Sequence, residues 1–123
     1  MAIEDLRKNA MMSHLLDALE RGDDIGHYGR LVFAMVARHF LPEDELCTWL
    51  RKDRRTSAEE ALAMVRQVEG RDYNPPRRER ILEWQRENPF PICPDANECN
   101  VYRDLRFPEH VYKHIQEFYE EQR

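Results

Sequence analysis

The chain has 123 residues, of which 41% are hydrophobic and 35% are charged, and its formal net charge is −5. This length fits one folded unit with its own core, so we expect a single domain over residues 1–123. The sequence shows no apolar run of about eighteen residues and no secretory leader, which predicts a cytoplasmic protein without a membrane partner. Three cysteines in a reducing compartment make a structural disulfide unexpected.

The basic side chains are concentrated in the middle of the chain. Residues 25–80 carry eleven basic and nine acidic side chains, whereas residues 1–24 and 81–123 are both net negative. Ten of the eleven are arginines, whose planar guanidinium suits bidentate contacts to phosphate. Because local charge governs binding more than the total does, this segment is a candidate nucleic-acid surface. The alternative is a solvated surface on which arginines and carboxylates pair.

The hydrophobic pattern predicts helices in chain order, beginning with one over residues 3–21. A second follows a turn with two glycines, and because residues 31–37 are all apolar, this helix should lie buried at the centre. Pro42 suits the start of a third helix. Ser57 begins a capping-box pattern, which predicts a fourth helix over residues 58–69.

The last third of the chain is interrupted by prolines. A fifth helix over residues 77–87 follows a rigid double-proline loop. Residues 88–107 should be irregular, and Pro108 opens a last helix whose apolar face includes Val111 and Phe118. The prediction is an all-α fold: a compact bundle of five or six helices around a central buried helix, with an irregular Pro-rich segment before the last one.

The turn before the central helix carries the first candidate site. His27 and Arg30 are three residues apart at a helix start, where unpaired N–H groups and the helix dipole favour an anion. The alternative is a tight loop in which Arg30 pairs with Asp23 or Asp24.

A second candidate site is an aromatic side chain among cations. Cations that hold phosphate beside a ring that can stack on a base are what single-strand binding needs. The alternative is that these arginines are only solvated. The residues are Arg71, Tyr73, Arg77, Arg78 and Arg80, together with Arg51, Lys52, Arg54 and Arg55 on the earlier loop.

A third pattern is a possible zinc set of Cys93, Cys99, His110 and His114. The two histidines are four residues apart on the last predicted helix, so both could face one ion. The spacing differs from the usual finger pattern, and the alternative is two buried cysteines and two solvated histidines. No cofactor is expected, and no sequence motif indicates a catalytic centre.

Several short motifs follow one another in an order known from one protein family. They are Gly-His-Tyr-Gly-Arg at 26–30 before an apolar helix, Asp-Glu-Leu and a tryptophan at 44–49, a helix ending at Gly70, Tyr-Asn-Pro-Pro at 73–76, and Cys93-Pro94. In this order the chain resembles, over residues 11–94, the C-terminal domain of the large subunit of archaeal and eukaryotic DNA primases.

The resemblance implies a helical, non-catalytic domain that binds the 5′-triphosphate of the first nucleotide and the adjacent template. It implies that Arg30 holds phosphate with His27 beside it, and that Arg66 and Tyr73 lie near the same surface. We therefore expect a nucleic-acid-binding accessory domain of a primase or primase-polymerase system that grips a 5′-phosphorylated primer or template end. The expected partners are single-stranded DNA or a primer-template, and a primase or polymerase catalytic subunit or domain.

The cysteines depart from that family's pattern. Family members hold a four-iron cluster with four cysteines, but here Met11 and Arg78 stand at two of those positions and only Cys93 matches. Either the chain is a relative without the cluster that keeps the nucleic-acid surface, or it shares only the fold of that family. The alternative function is a small helical protein-interaction module with no nucleic-acid role, with or without a stabilising zinc ion.

Overall fold

The computed structural model describes residues 2–121, and the side chains of residues 2–115. All regular structure in residues 2–121 is helical, which confirms the predicted all-α class. None of the described helices is long and apolar enough to cross a membrane. The eight helices of this part of the chain are α1 (Ala2–Leu6), α2 (Ala10–Glu20), α3 (Gly26–Ala37), α4 (Glu43–Leu50), α5 (Ala58–Gly70), α6 (Arg78–Gln85), α7 (Val101–Asp104) and α8 (Glu109–Glu121). The predicted number of five or six is wrong, because the first predicted helix is divided in two and the short helix α7 forms within the segment predicted to be irregular.

The predicted first helix is wrong in one respect, because the chain divides it into α1 and α2. Asn9 has extended backbone angles, and its Oδ1 accepts the Met12 N–H at 3.0 Å, which caps α2. Its amide nitrogen donates to Asp104 Oδ2 at 2.9 Å and to the Glu98 carbonyl at 3.3 Å. Asparagine side chains compete with helical hydrogen bonds in this way, and here the competition ends one helix and begins the next.

Helix α3 contacts four other helices, α2, α4, α5 and α6. Burial of its apolar side chains is the main favourable contribution that this helix makes to folding. Its N-terminal turn faces the α4–α5 loop and the segment after α6, so polar groups meet there. The fully buried side chains of α3 are Val32, Phe33, Ala34, Val36 and Ala37.

Two predicted helix starts are found within a residue of their expected places. Pro42 has extended backbone angles and immediately precedes α4. Ser57 Oγ accepts the Glu60 N–H at 3.1 Å and caps α5, as the capping pattern predicts. Helix α6 begins one residue later than expected and ends two residues earlier.

The segment between α6 and α8 contains a disulfide, contrary to expectation. Cys93 and Cys99 are joined, with their Cα atoms 5.7 Å apart. A turn in which the Glu98 N–H donates to the Asp95 carbonyl at 2.8 Å brings them together. A spacing of six residues does not by itself reveal such a turn. Phe118, predicted on the apolar face of α8, lies outside the residues whose side chains are described.

Candidate functional site

A buried carboxylate lies under the first turn of α3. Asp53 is fully buried, and its Oδ2 accepts the Ile25 N–H at 3.1 Å and contacts Arg30 Nη1 at 3.0 Å. Its Oδ1 accepts the Arg55 N–H at 3.0 Å, so one side chain joins the α4–α5 loop to α3. Asp24 Oδ1 lies 3.3 Å from the same Arg30 nitrogen. Asp53 and Asp24 therefore both compensate the charge of Arg30 within the protein. Asp24 is one of the two acids that the alternative prediction named for this turn.

The backbone donors of this turn are also engaged. Asp24 Oδ1 accepts the Gly26 N–H at 2.9 Å, and Asn88 Oδ1 accepts the Tyr28 N–H at 3.3 Å. Gly26 has a φ of +80°, and a Cβ at this position would collide with the Asn88 side chain. Glycine is thus required here by both backbone conformation and space. Two of the N–H groups on which an open anion site would depend are used within the protein.

His27 and Arg30 nevertheless meet at a small cavity between α3 and α5, which we call the His27 cavity. Its volume is about 220 Å³, and its lining includes Thr56, Glu60 and Met64. The Thr56 hydroxyl oxygen is buried and has no hydrogen-bond partner in the described part of the chain. Arg30 is only 18% exposed, whereas His27 is exposed. The structure brings the predicted pair together and places an unpaired hydroxyl among the same lining residues.

A larger groove lies between α3, α5 and α6, and we call it the Trp84 groove. Its volume is about 670 Å³. Trp84 is half-buried, and its ring stacks on Tyr28 with the centroids 5.6 Å apart. The groove combines two aromatic side chains with two arginines over an apolar floor. The lining residues that matter here are Leu31, Met35, Tyr73, Arg77, Arg80 and Trp84.

The loop that carries Tyr73 is held against α3 by an ion pair. Arg38 Nη2 contacts Asp72 Oδ1 at 2.7 Å and donates to the Tyr73 carbonyl at 2.9 Å. The hydrogen bond from Arg38 lowers the pKa of Asp72. Arg71 Nη1 lies 3.3 Å from the Tyr73 hydroxyl, and hydrogen bonds with Gln67 and Arg71 lower the pKa of that phenol. Arg71 therefore belongs to the same surface as Tyr73, as predicted.

A third concavity lies between α6, α7 and α8, and we call it the Tyr112 groove. Arg78, a predicted site residue, lies here, and its Nε donates to the Ala96 carbonyl at 2.5 Å. Arg66 is exposed on α5 and is not among the described residues that line any of the three concavities. The volume of this groove is about 460 Å³, and its lining is Arg77, Arg78, Glu79, Asn100, Tyr102, Tyr112 and Ile115.

The possible zinc set is not assembled. The disulfide uses both Cys93 and Cys99, so neither can supply the thiolate that zinc requires. The rings of His110 and His114 lie 5.9 Å apart on α8, and His114 Nδ1 lies 3.5 Å from Asp72. Among the described residues, no group of three or more His, Cys, Asp or Glu side chains is placed to hold a metal ion.

Three contributors to these sites were not predicted. Trp84 falls within the predicted fifth helix, but no motif marks it as a site residue, and no sequence pattern singles out Thr56. Asp53 had one usable signal, since it is the single acid among four cations in residues 51–55. Such an acid is a candidate partner for a nearby buried arginine.

The geometry defines a small all-α protein with aromatic side chains and arginines gathered in open grooves. Comparisons with known protein families, with curated proteins and with solved structures find no match. The resemblance to the primase domain therefore stays a prediction that depends on the short motifs alone.

Proposed function

We propose that the chain is a non-catalytic binding module for the single-stranded end of a nucleic acid, acting in a primase or primase-polymerase system. The observation that carries this proposal is the Trp84 groove, where Tyr73 and Trp84 offer rings beside Arg77 and Arg80. Aromatic rings stack on any base, and arginines contact backbone phosphates. A single strand suits this arrangement because its bases are not held in a duplex.

The charges in the groove favour phosphate only modestly. Glu79 and Glu83 also line it, and Arg80 contacts Glu83 at 3.5 Å. Both members of that pair are highly exposed, 62% and 60%, so the pair is weak and a phosphate can compete for the arginine. Arg71 adds a third cation at the edge of Tyr73. Binding should weaken as salt is raised, because bound phosphates release counterions, with a slope set by the few arginines that contact phosphate.

The His27 cavity supports a place for a terminal phosphate. His27 and Leu31 are four residues apart on α3, and Met64 and Gln67 are three apart on α5. Residues at these spacings lie on one side of a helix, so the cavity and the Trp84 groove are neighbours on the same face. A strand whose first base stacks in the groove can then place its 5′-phosphate beside the exposed His27.

Replacing Tyr73 with alanine is expected to weaken binding of an oligothymidylate about tenfold, because one base loses its stacking partner. Fluorescence anisotropy at low salt measures the affinity. Tyr73→Phe is the matched control, since it keeps the ring and should bind within about twofold of the unmodified protein. Equal binding by the alanine variant and the unmodified protein would show that the strand does not bind in the Trp84 groove.

A 5′-triphosphate oligonucleotide is expected to bind more tightly than the same oligonucleotide with a 5′-hydroxyl. His27→Ala should reduce that preference by about threefold, as the loss of one exposed contact to a charged group does. His27 is the better choice than Arg30, whose removal would leave Asp53 buried without its partner. If the unmodified protein binds both ends equally, the terminal-phosphate part of the proposal is wrong.

The second candidate function is a protein-interaction module. It is favoured by the pairing of the largely buried Arg30 and Arg38 with carboxylates, which leaves these two arginines less able to bind phosphate. The net charge of −5 points the same way. Failure of the unmodified protein to bind any oligonucleotide at low salt would favour this function.

A further inference from the structure

We infer that a bound strand continues from the Trp84 groove into the Tyr112 groove, where Tyr112 stacks a further base; this inference rests on the proposed function. Arg77 and Glu79 line both grooves, so the two concavities adjoin each other at the start of α6. A strand that leaves the first groove passes Arg77 and enters the second. The three concavities then form one path, with the 5′ end at the His27 cavity and the 3′ side at Tyr112.

Tyr112 has the properties of a stacking platform. Of the side chains that the structure describes, it is the one large hydrophobic side chain that is exposed, at 41%. Its hydroxyl accepts the Phe107 N–H at 3.1 Å, which fixes the position of the ring in the groove. A ring that is already positioned loses little conformational entropy when a base stacks on it.

The other side of the Tyr112 groove is fixed and uncharged. The Tyr102 hydroxyl donates to the Pro75 carbonyl, which ties α7 to the double-proline loop. Burial raises the pKa of Tyr102 to about 12, so the phenol stays neutral at ordinary pH. Asn100 lines the same groove; its Oδ1 caps α7 by accepting the Arg103 N–H at 3.3 Å, and its amide nitrogen can donate to a base edge.

Among the described residues, two arginines and one carboxylate line this groove. Arg78 is oriented by its hydrogen bond to the Ala96 carbonyl, and its Nη1 lies 3.9 Å from Glu79 Oε1. The Glu79 side chain is 73% exposed, so this contact neutralises little of the arginine charge. Arg78 therefore keeps most of its positive charge where the strand's phosphates would pass.

The test compares oligothymidylates of about four and about ten nucleotides, a range typical of single-strand sites. The longer probe should bind the unmodified protein about tenfold more tightly, because it can reach the second ring. Tyr112→Ala should remove that gain and leave the short probe within about twofold. Tyr73→Ala is the matched control and should weaken both probes. Thermal melting establishes that each variant is folded.

A second variant keeps the inference testable if Tyr112→Ala does not fold. Arg78 lines only the Tyr112 groove, so Arg78→Gln should lower the salt dependence of binding by about one phosphate contact for the long probe alone. Equal effects on both probes, or none on either, would overturn the extension while leaving the proposed function intact. If the unmodified protein binds neither probe, the proposed function fails and this inference fails with it.

Discussion

Replacing Asp53 with alanine is expected to lower the free energy of unfolding by about 3 kcal/mol, the cost of breaking a buried ion pair from one side. The carboxylate is fully buried and accepts hydrogen bonds from the Ile25 N–H, the Arg55 N–H and the Arg30 guanidinium. Without it, the Ile25 N–H loses its acceptor and Arg30 keeps only Asp24. Urea unfolding followed by circular dichroism measures the loss.

Asp24→Ala is the matched control for that measurement. Asp24 contacts the same Arg30 nitrogen and also accepts the Gly26 N–H, but its side chain is 39% exposed. Solvent replaces much of an exposed contact, so we expect a loss of about 1 kcal/mol. Similar losses for the two variants would show that burial does not distinguish the carboxylates, and the role assigned to Asp53 would be wrong.

The features that the sequence predicts well are those set by neighbouring residues. The apolar run at 31–37 contains the buried core of α3, and Ser57 caps α5 at the expected residue. A hydrophobic period or a capping pattern is complete within a few residues, so it can be read without knowing the path of the chain.

The features that the sequence missed depend on residues far apart. Asn88 reaches Tyr28 across 60 positions, and Arg30 reaches Asp53 across 23. Asn9 divides the first helix while its side chain holds Asp104, 95 positions away. Local preference is weak compared with such buried polar contacts, so only the folded chain reveals which asparagine ends a helix.

The candidate site likewise combines features that neighbouring residues determine with features that depend on distant residues. The aromatic and basic residue types that single-strand binding needs could be identified in the sequence around Tyr73. Their arrangement could not, because the Trp84 groove is formed where α3, α5 and α6 meet. The same packing places Arg30 against Asp53. Arg30 was expected to face phosphate, but its main contact in the structure is this buried ion pair.

Acidification from pH 7 is expected to destabilise the protein through His39. Burial is the main cause that lowers the pKa of His39 to about 4; the charges of Arg38 and His110 contribute to this shift, while Asp72 opposes it. The unfolded chain takes up this proton near pH 6.5, so between the two values it binds more protons than the folded protein does. Stability is therefore lost as pH falls through this window. We expect about 2 kcal/mol, reduced from the full linkage value because His39 is partly exposed.

Urea unfolding at pH 7 and near pH 4.5 measures this loss. His39 Nε2 is buried without a hydrogen-bond partner in the described part of the chain, and the ring packs edge-on against Phe107. His39→Phe should keep that contact and flatten the pH dependence, because an uncharged ring takes up no proton. His27→Gln, at the exposed end of α3, should leave the slope unchanged.

Asp72 and Asp104 have lowered pKa values, so their contributions to stability are lost only at lower pH and do not obscure the window in which His39 acts. A slope that persists in His39→Phe would assign the acid sensitivity to other groups.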